Sequence, residues 1–348
     1  PALTPALTPD QALARWGLTG SLLPAEDGLI NRTWILHQQR RPSGVLQWVN
    51  PIFSPLVTAD IVQVSAWLQQ QGQPSPSARP LPDGSCALLD PSAGHWRILD
   101  YIQGRTLHTI PGPTLAHAAG ALVGRFHAAM TDWPATFQAP PRNVHDTPAR
   151  MQELATAIDQ HPAHPLASQV AELGEAILAD WRAWSGPLDS PLHPCHGDLK
   201  ISNLHFAQDA DRGVCLLDLD TLGALSYSVE MGDAWRSWCN PAGESAPEST
   251  RFDIDLFEAS ARGWRSTGPA LDAAELDSLV PGIERICLEL AARFARDALL
   301  NSYFREDRER WPVAGGHNLV RAQAQHRLAR SARQQAGACQ RILRAGVA

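Results

Sequence analysis

Lysine is almost absent from this chain of 348 residues: Lys200 is the only one, and every other basic side chain is arginine. Acidic residues outnumber basic ones by 36 to 29, which gives a net charge of −7 and a pI near 6.0. A nucleic-acid binder normally carries a basic face, so this balance argues against such a partner. No apolar run approaches the length of a membrane span, and no membrane partner is expected.

Two further absences bear on compartment and metal chemistry. The six cysteines include no CxxC pair, which predicts free, buried thiols in a reducing cytoplasm. The opening segment, PALTPALTPD, lacks the basic and apolar regions of a secretory signal. His193, Cys195 and His196 crowd together, but no second ligand cluster follows at zinc spacing, so we expect no zinc site. These features predict a cytoplasmic protein.

The pattern that is present predicts an α+β architecture. Length and an apolar content of 44% allow a large core and about two lobes. Strand-like segments at 33–36, 45–49, 86–89 and 96–102 surround one helix at 58–71, with Thr58 as its cap. Residues 1–103 are thus predicted to form a small N-terminal sheet lobe that binds the nucleotide.

The remainder, 104–348, is predicted to be a larger, mainly helical lobe that carries the catalytic and substrate-binding groups. Thr114 can cap a helix running to Met130, in which Gly120 and Gly124 permit close packing of backbones. The further predicted helices are 149–160, 167–184, 255–263, 273–301 and 318–345. The last of these is rich in arginine and glutamine and is expected to be amphipathic surface structure.

The stretch HGDLKISNL, residues 196–204, matches the spacing of the protein-kinase catalytic loop, H-R-D-x-x-x-x-N. In that chemistry the aspartate, here Asp198, accepts the hydroxyl proton and the asparagine, here Asn203, holds Mg²⁺. Asp218 closes an apolar run at 214–217, where such enzymes keep another metal ligand. Lys200 can set its ammonium against the transferring phosphoryl group. Singly these residues are ordinary turn or structural residues, but their spacing predicts a phosphotransferase using ATP and Mg²⁺.

One position departs from that pattern. Protein kinases carry a lysine on the third strand that pairs the α- and β-phosphates, and here the strand offers Gln47. Arg32 is one candidate substitute, and Gln47 acting only as a hydrogen-bond donor is another. Asp60 is a weak candidate for the acidic helix partner. The segment 28–33 is either a plain hairpin turn or the loop that covers the nucleotide.

With these motifs in hand, the chain resembles the aminoglycoside phosphotransferase and choline kinase group, whose members have a protein-kinase-like two-lobe fold. Within the group it is most similar to the N-acetylhexosamine 1-kinases. The stretches that carry this narrower resemblance are GLINRTW (28–34), VLQWVN (45–50), WRILDYIQG (96–104), HDTPAR (145–150), LDLDTLG (217–223), GDAWRSWCN (232–240) and HNLVRAQAQ (317–325). The double-acid form at 218–220 is less general in the wider group.

The resemblance implies roles for individual residues. It implies that Asp198 is the base and that Asn203 and Asp218 are magnesium ligands, with Asp220 a direct or supporting one. On the nucleotide side it implies that Leu99 and Tyr101 lie in the hinge that binds adenine and that Asn31 and Thr33 lie under the nucleotide loop. On the substrate side it implies Arg293, Asp297, Tyr303 and His145, with Asp146. It also implies a small-molecule sugar substrate, with phosphate transferred to the anomeric hydroxyl of N-acetylglucosamine or N-acetylgalactosamine.

Two rivals to that function stay open at this point. The first is a kinase of a cationic acceptor, such as an aminoglycoside, choline or ethanolamine, for which Asp297, Glu230 and tryptophans could form the pocket. The second is a pseudokinase that binds a ligand without turnover, supported only by the missing third-strand lysine. The complete set of Asp198, Asn203 and Asp218 argues against the second.

Overall fold

A computed structural model describes residues 4–25, 30–141 and 145–345. The N-terminal part consists of β1 (Ser21–Pro24), β2 (Arg32–Gln38), β3 (Arg41–Val49), β4 (Leu88–Leu89) and β5 (His95–Asp100), with α1 (Pro9–Ala14) and α2 (Leu56–Gln70). These strands form one antiparallel sheet in the order β1-β2-β3-β5-β4. Trp48 and Trp96 pack with α1 on one face, and Val49 and Leu99 pack on the other with α2.

The C-terminal part is mainly helical. Its helices are α3 (Pro113–Thr131), α4 (Thr147–Gln160), α5 (Ala167–Ala183), α6 (Tyr227–Trp238), α7 (Ile254–Thr267), α8 (Ala273–Leu300) and α9 (Gly316–Arg344). Its short strands are β6 (His193–Cys195), β7 (Leu204–Phe206), β8 (Gly213–Leu216) and β9 (Gly223–Leu225), pairing β6 with β9 and β7 with β8. The catalytic-loop sequence lies between β6 and β7, so both of its ends are anchored in strands.

The connection between the two parts is short. The sheet ends at Asp100 and α3 begins at Pro113, so the boundary predicted near residue 103 falls in this connection. Arg105 exchanges two backbone hydrogen bonds with Phe206 of β7, at 2.8 and 2.9 Å. The chain is therefore attached to the catalytic-loop region as soon as it leaves the sheet.

Two of the predicted helix caps are wrong. Thr58 lies inside α2, which Pro55 precedes, and its buried hydroxyl bonds His95 Nε2 at 3.0 Å instead. Helix α3 begins after Gly112 without a side-chain cap, rather than at Thr114. In both cases the helix begins before the threonine, at Leu56 in α2 and at Pro113 in α3, because the residues just ahead of the threonine also take helical conformation.

Helix packing confirms one prediction and corrects two. A Cβ atom at Gly120 would overlap the carbonyl oxygen of Ser260, so α3 and α7 meet backbone to backbone as expected. Helix α6 was not predicted, although its apolar residues from Tyr227 to Trp238 recur at helical spacing, and nearly all of its residues are buried. Helix α9 is not surface structure alone: Asn318 and Gln325 are among its fully buried residues. No helix in the described ranges is both long enough and apolar enough to cross a membrane.

The cysteines are free, as predicted. Five of the six are buried and Cys86 is half-buried. Burial raises the pKa of the Cys215 thiol to about 12, which keeps it protonated at neutral pH. These thiols therefore serve as small apolar core residues.

Candidate active site

The unpredicted helix α6 holds the catalytic loop in place. Its Glu230 carboxylate accepts the backbone N–H groups of His196 at 2.8 Å and Gly197 at 2.9 Å. Farther along α6, Trp238 Nε1 donates to the carbonyl of Leu199 at 2.8 Å. Gly197 has a φ of +83°, and a Cβ there would overlap the carbonyl oxygen of Thr221. The loop thus takes a conformation that suits glycine and is fixed by buried side chains.

Asp198, Lys200 and Asn203 meet at the surface of this loop. Lys200 Nζ lies 2.8 Å from Asp198 Oδ2, and Asn203 Nδ2 donates to the same oxygen at 3.0 Å. Burial raises the pKa of Asp198, but the charge and hydrogen bond of Lys200 lower it more, so it lies below its ordinary value. Asp198 is therefore ionised at neutral pH and can accept a proton. The structure brings together the three residues that the motif spacing predicted.

Asn203 and Asp218 fit a divalent cation. The amide nitrogen of Asn203 is held by Asp198, which leaves its oxygen as a ligand. The Asp218 side chain is exposed, yet the pKa of its carboxyl is raised to about 6. The larger cause is that nearby protein atoms displace water from the carboxylate, and the second is the negative charge of Asp220. An excess of negative charge beside an amide oxygen is the donor set that Mg²⁺ prefers. When bound, Mg²⁺ neutralises charge on phosphate oxygens.

Asp220 lies behind this site rather than in it. Its side chain is buried; Oδ1 lies 2.5 Å from Arg97 Nη1, and Oδ2 accepts from Asn31 Nδ2 at 2.6 Å. Of the two roles that the sequence left open for Asp220, the structure favours that of a supporting residue. The same contacts place Asn31 beneath the loop 218–221, with its oxygen bonded to Asn50 N at 3.0 Å.

On the nucleotide side, Gln47 and Thr33 are cross-strand neighbours. Gln47 Nε2 donates to Thr33 Oγ1 at 3.2 Å, and Gln47 Oε1 accepts from Arg97. Leu99 is buried near the end of β5, and Tyr101 follows in the connection to the helical part. Gly28 and Leu29, in the segment considered as a nucleotide-covering loop, lie outside the described residues. Contact of these groups with a nucleotide stays a prediction.

Asp60 does not act as the acidic helix partner of a cation. It is buried on α2, and its two oxygens accept the backbone N–H groups of Gln138 at 2.7 Å and Ala139 at 2.9 Å. It therefore fixes the segment after α3 against α2. That assignment from the sequence is corrected.

The region that the sequence predicts to face the acceptor holds paired charges on α6, on α8 and just before α4. Asp233 Oδ1 accepts from Arg236, and its Oδ2 is a buried oxygen with no hydrogen-bond partner. His145 Nδ1 lies 3.0 Å from Glu289 Oε1, and its pKa is raised: burial lowers it, but the charge of Glu289 raises it more. The charge of Asp233 acts on both His145 and Lys200, so these groups share one region.

Two predicted substrate residues stand in different surroundings. Arg293 lies over the rings of Tyr303 and Phe304, 5.7 and 5.5 Å from their centroids, and Tyr303 is exposed. The Asp297 carboxylate is buried and accepts the backbone N–H groups of residues 302–304 and the amide of Asn318. Asp297 thus positions the segment that carries Tyr303, which leaves Arg293 and Tyr303 as the stronger candidates for contact. Asp146 caps α4 through Ala149 N.

A buried cluster behind the loop joins His127, Cys195 and Glu230, whose polar atoms lie within 4.8 Å of one another. Glu230 already bonds the catalytic loop, and His127 bonds Glu230 through Nε2 and Trp264 Nε1 through Nδ1. The Cys195 thiol donates to Leu225 O at 3.5 Å. Because these partners saturate the cluster, we assign it a structural role.

Three residues of the site were missed by the sequence analysis: Arg97, Asp233 and Arg236. Asp233 and Arg236 lie in the stretch 232–240 that carries the family resemblance, which was a usable signal. Arg97 also lies in such a stretch, 96–104, but only strand register reveals that it is the cross-strand partner of Gln47. Glu230, considered for a cation pocket, is instead a buried anchor of the loop.

Comparisons with known proteins agree with this architecture. A family model described as "Phosphotransferase enzyme family" matches residues 21–270. A search of curated proteins gave no match. Among solved structures, a microcompartment-associated aminopropanol kinase aligns with a TM-score of 0.65 and 18% identity, covering 94% of this chain and 97% of that one.

Two further structures align over nearly the whole chain. An aminoglycoside phosphotransferase from Alicyclobacillus acidocaldarius has a TM-score of 0.59 and 16% identity, covering 97% of this chain and 98% of that one. A choline/ethanolamine kinase family protein from Mesorhizobium loti has a TM-score of 0.55 and 18% identity, covering 97% and 99%. At these identities the likeness shows the fold, and it confirms the predicted α+β, kinase-like architecture.

Proposed function

This chain belongs to the phosphotransferase enzyme family, and we propose that it phosphorylates the anomeric hydroxyl of an N-acetylhexosamine, an uncharged acceptor rich in hydroxyl groups. As a member of the family it is an ATP-dependent small-molecule kinase that works with a divalent metal ion. The family thereby excludes the binding-only alternative. What remains to be chosen is the acceptor.

The observation that carries the choice is the charge balance on the acceptor side. In the described part of the chain, each buried carboxylate of this region already has a partner on at least one oxygen: Asp233 has Arg236, which Glu244 shares, Glu289 has His145, and Asp297 has backbone N–H groups. A pocket for a cation needs carboxylate charge that is not yet neutralised. These partners leave a region that is polar but nearly balanced, which suits an acceptor carrying hydroxyl and amide groups.

Two groups remain to bind such an acceptor. Asp233 Oδ2 is a buried acceptor atom without a partner, and a sugar hydroxyl would satisfy it. Arg293 presents a guanidinium over aromatic rings, and its planar fork of N–H donors suits adjacent sugar oxygens. Together they provide one hydrogen-bond acceptor and several donors near the charges that surround Lys200.

The reaction follows from the placement of Asp198. The acceptor hydroxyl gives its proton to the Asp198 carboxylate as its oxygen bonds to the γ-phosphorus, and the bond from that phosphorus to the bridging oxygen breaks, releasing ADP. An anomeric hydroxyl is more acidic than an ordinary alcohol, so a carboxylate with a lowered pKa is basic enough. Lys200 stands beside Asp198 to hold the transferring group.

The second candidate is an amine-bearing acceptor. Structural neighbours are named for aminopropanol and for choline or ethanolamine, all of which carry a nitrogen that is positively charged at neutral pH. Exposed tryptophan or carboxylate groups at the mouth of the site would have to bind such a cation. We rank this candidate second because the buried carboxylates of the region are already engaged.

The test is an acceptor panel with Mg²⁺-ATP: N-acetylglucosamine, N-acetylgalactosamine, their 1-deoxy analogues, choline, ethanolamine and an aminoglycoside. Phosphorus NMR of the product locates the phosphate. We expect a sugar 1-phosphate, no product from the 1-deoxy sugars, and none with Asp198→Asn. Phosphate on C6, or modification of the amines alone, would reject the 1-kinase assignment and promote the second candidate.

A further inference from the structure

A row of polar side chains crosses the sheet where protein kinases would carry their strand lysine. Thr33, Gln47 and Arg97 are direct cross-strand neighbours on β2, β3 and β5. Arg97 donates to Gln47 Oε1 from Nε at 2.9 Å and from Nη2 at 2.7 Å, and Gln47 in turn donates to Thr33. Both polar atoms of Gln47 are therefore used within the sheet, where they fix the orientation of Arg97.

The third nitrogen of Arg97 reaches out of the sheet to the metal-binding loop. Nη1 lies 2.5 Å from Asp220 Oδ1, and both side chains are only 1% exposed. The other oxygen of Asp220 accepts from Asn31, which also accepts the backbone N–H of Asn50. Thus the loop after β8 is joined to the sheet by one buried ion pair and a bridging amide.

Two residues before Asp220, Asp218 has a strained backbone. Its φ and ψ are 57° and 56°, the left-handed region, which costs an L-residue energy although aspartate adopts it more readily than most. The short turn Leu219–Thr221 follows, and Thr221 Oγ1 donates to the carbonyl of His196 at 2.8 Å. Asp220 is the member of this turn that is attached to the sheet.

We propose that Arg97 replaces the missing strand lysine as a positioning residue, and that through Asp220 it holds Asp218 in the conformation that would bind the metal ion. Its burial means that it acts through Asp220 and does not touch the nucleotide. Asp60 on α2 is bonded to the backbone of residues 138 and 139. Arg97 on the sheet therefore pairs with Asp220 in the metal-binding loop and not with an acid on the helix. This inference rests on the nucleotide side of the proposed function and not on the identity of the acceptor.

The first experiment measures the affinity for Mg²⁺-ADP by calorimetry in Arg97→Met, together with the ATP and acceptor KM values. We expect the affinity to fall about tenfold or more, the ATP KM to rise, and the acceptor KM to stay the same. The matched control is Arg79→Met, which removes an ion pair with Asp100 on the same sheet without touching the loop. Unchanged Mg²⁺-ADP affinity in a folded Arg97→Met protein would overturn the proposal.

Arg97→Met leaves Asp220 buried without its cation, so it can fail to fold. The double variant Arg97→Met/Asp220→Asn removes both charges together and keeps the side-chain volumes. We expect it to melt near the parent temperature and still to bind Mg²⁺-ADP about tenfold more weakly. Parent-like affinity in this variant would also overturn the proposal.

A charge-relocation variant gives the sharpest test. Gln47→Lys/Arg97→Met moves the cation from β5 to the neighbouring position on β3, where protein kinases have it. We expect this variant to recover most of the Mg²⁺-ADP affinity that Arg97→Met loses. Gln47→Lys alone should lower the melting temperature without tightening ATP, because it sets a second cation against Arg97 and removes its acceptor oxygen. If the relocated charge restores none of the Mg²⁺-ADP affinity in a folded protein, the positive charge of Arg97 does not support binding and the proposal is overturned.

The outcome is independent of the acceptor panel. Mg²⁺-ADP binding needs no acceptor, so a failed sugar assignment leaves this test intact. Conversely, a parent-like affinity in the Arg97 variants leaves the sugar assignment untouched.

Discussion

Two ion pairs flank the reaction centre, and they are built in opposite ways. Lys200 and Asp198 are two residues apart on one loop, and their side chains are 34% and 29% exposed. Arg97 and Asp220 come from distant parts of the chain and are 1% exposed. A partly open pair contributes little to stability but can exchange its partner for a ligand, whereas a buried pair holds elements together and is costly to break.

In our proposal this difference gives the single lysine and Arg97 separate roles in the kinase reaction. The lysine stands where its charge can meet the transferring group, and it shares its partner with Asn203. Arginine, which stays protonated and forms several hydrogen bonds at once, occupies the buried position. Arg97 donates two hydrogen bonds to Gln47, and its Nη1 forms a charge contact with Asp220 without hydrogen-bond geometry.

The largest expected effect comes from the open pair. Asp198→Asn removes the proton acceptor with little change in volume, so we expect turnover to fall by about 10³-fold and the melting temperature to change by no more than about 2 °C. Steady-state kinetics and thermal melts give both numbers. The control is Asp209→Asn at an exposed loop position. Near-parent turnover in a folded Asp198→Asn protein would end its assignment as base.

The second prediction contrasts the two cations. Lys200→Met should lower kcat by about 100-fold with little loss of stability, because its pair is partly open. Arg97→Met should lower the free energy of unfolding by about 3–5 kcal/mol, since it leaves a buried carboxylate unpaired. Chemical denaturation beside kinetics measures both. Equal destabilisation by the two substitutions would show that exposure does not separate the pairs.

How much of this the sequence predicts depends on how local each contact is. Asp198, Lys200 and Asn203 lie within six residues, so their spacing alone places them together, and Asp218 follows from the strand that precedes it. The two-lobe architecture follows in the same way from short strands succeeded by long helices. These features rest on patterns within a few residues of one another.

The rest depends on strand register and on tertiary contacts of buried polar residues. The position of Gln47 was predicted, but its bond to Arg97 requires the antiparallel register of β3 and β5. Glu230 anchors the loop from α6, and the spacing of apolar residues in that helix does not reveal the contact of a buried polar residue with a distant loop. Asp60 and Thr58 follow ordinary helix rules in sequence, yet tertiary contacts give both residues other partners.

A third cation, Arg293, extends the comparison to the acceptor side. It rests over aromatic rings and forms no ion pair with any carboxylate in the described ranges, so its donors remain for a ligand. We expect Arg293→Ala to raise the sugar KM about tenfold and leave the ATP KM unchanged. Arg296→Ala, one turn farther on α8 and paired with Glu153, is the control. A rise in the ATP KM alone would move Arg293 out of the acceptor site.

The smallest effect concerns a buried pair whose cation can titrate. His145 and Glu289 are nearly as buried as Arg97 and Asp220, but a histidine can lose its proton. Because the pKa of His145 is raised in the folded protein above its ordinary 6.5, the pair contributes fully below pH 6.5. That contribution is lost as the pH rises through the raised pKa.

His145→Gln retains a hydrogen-bonding group without the charge and isolates this contribution. We expect the parent to exceed the variant in melting temperature by about 2 °C at pH 6, and the excess to shrink by pH 9. Differential scanning calorimetry across that range measures it, with His108→Gln at an exposed position as the control. An excess that stays constant from pH 6 to pH 9 would mean that folding does not raise the pKa of His145, so the Glu289 carboxylate would lack a fully charged partner at neutral pH. Such a result would favour an amine-bearing acceptor, so the weakest of these effects also bears on the choice of substrate.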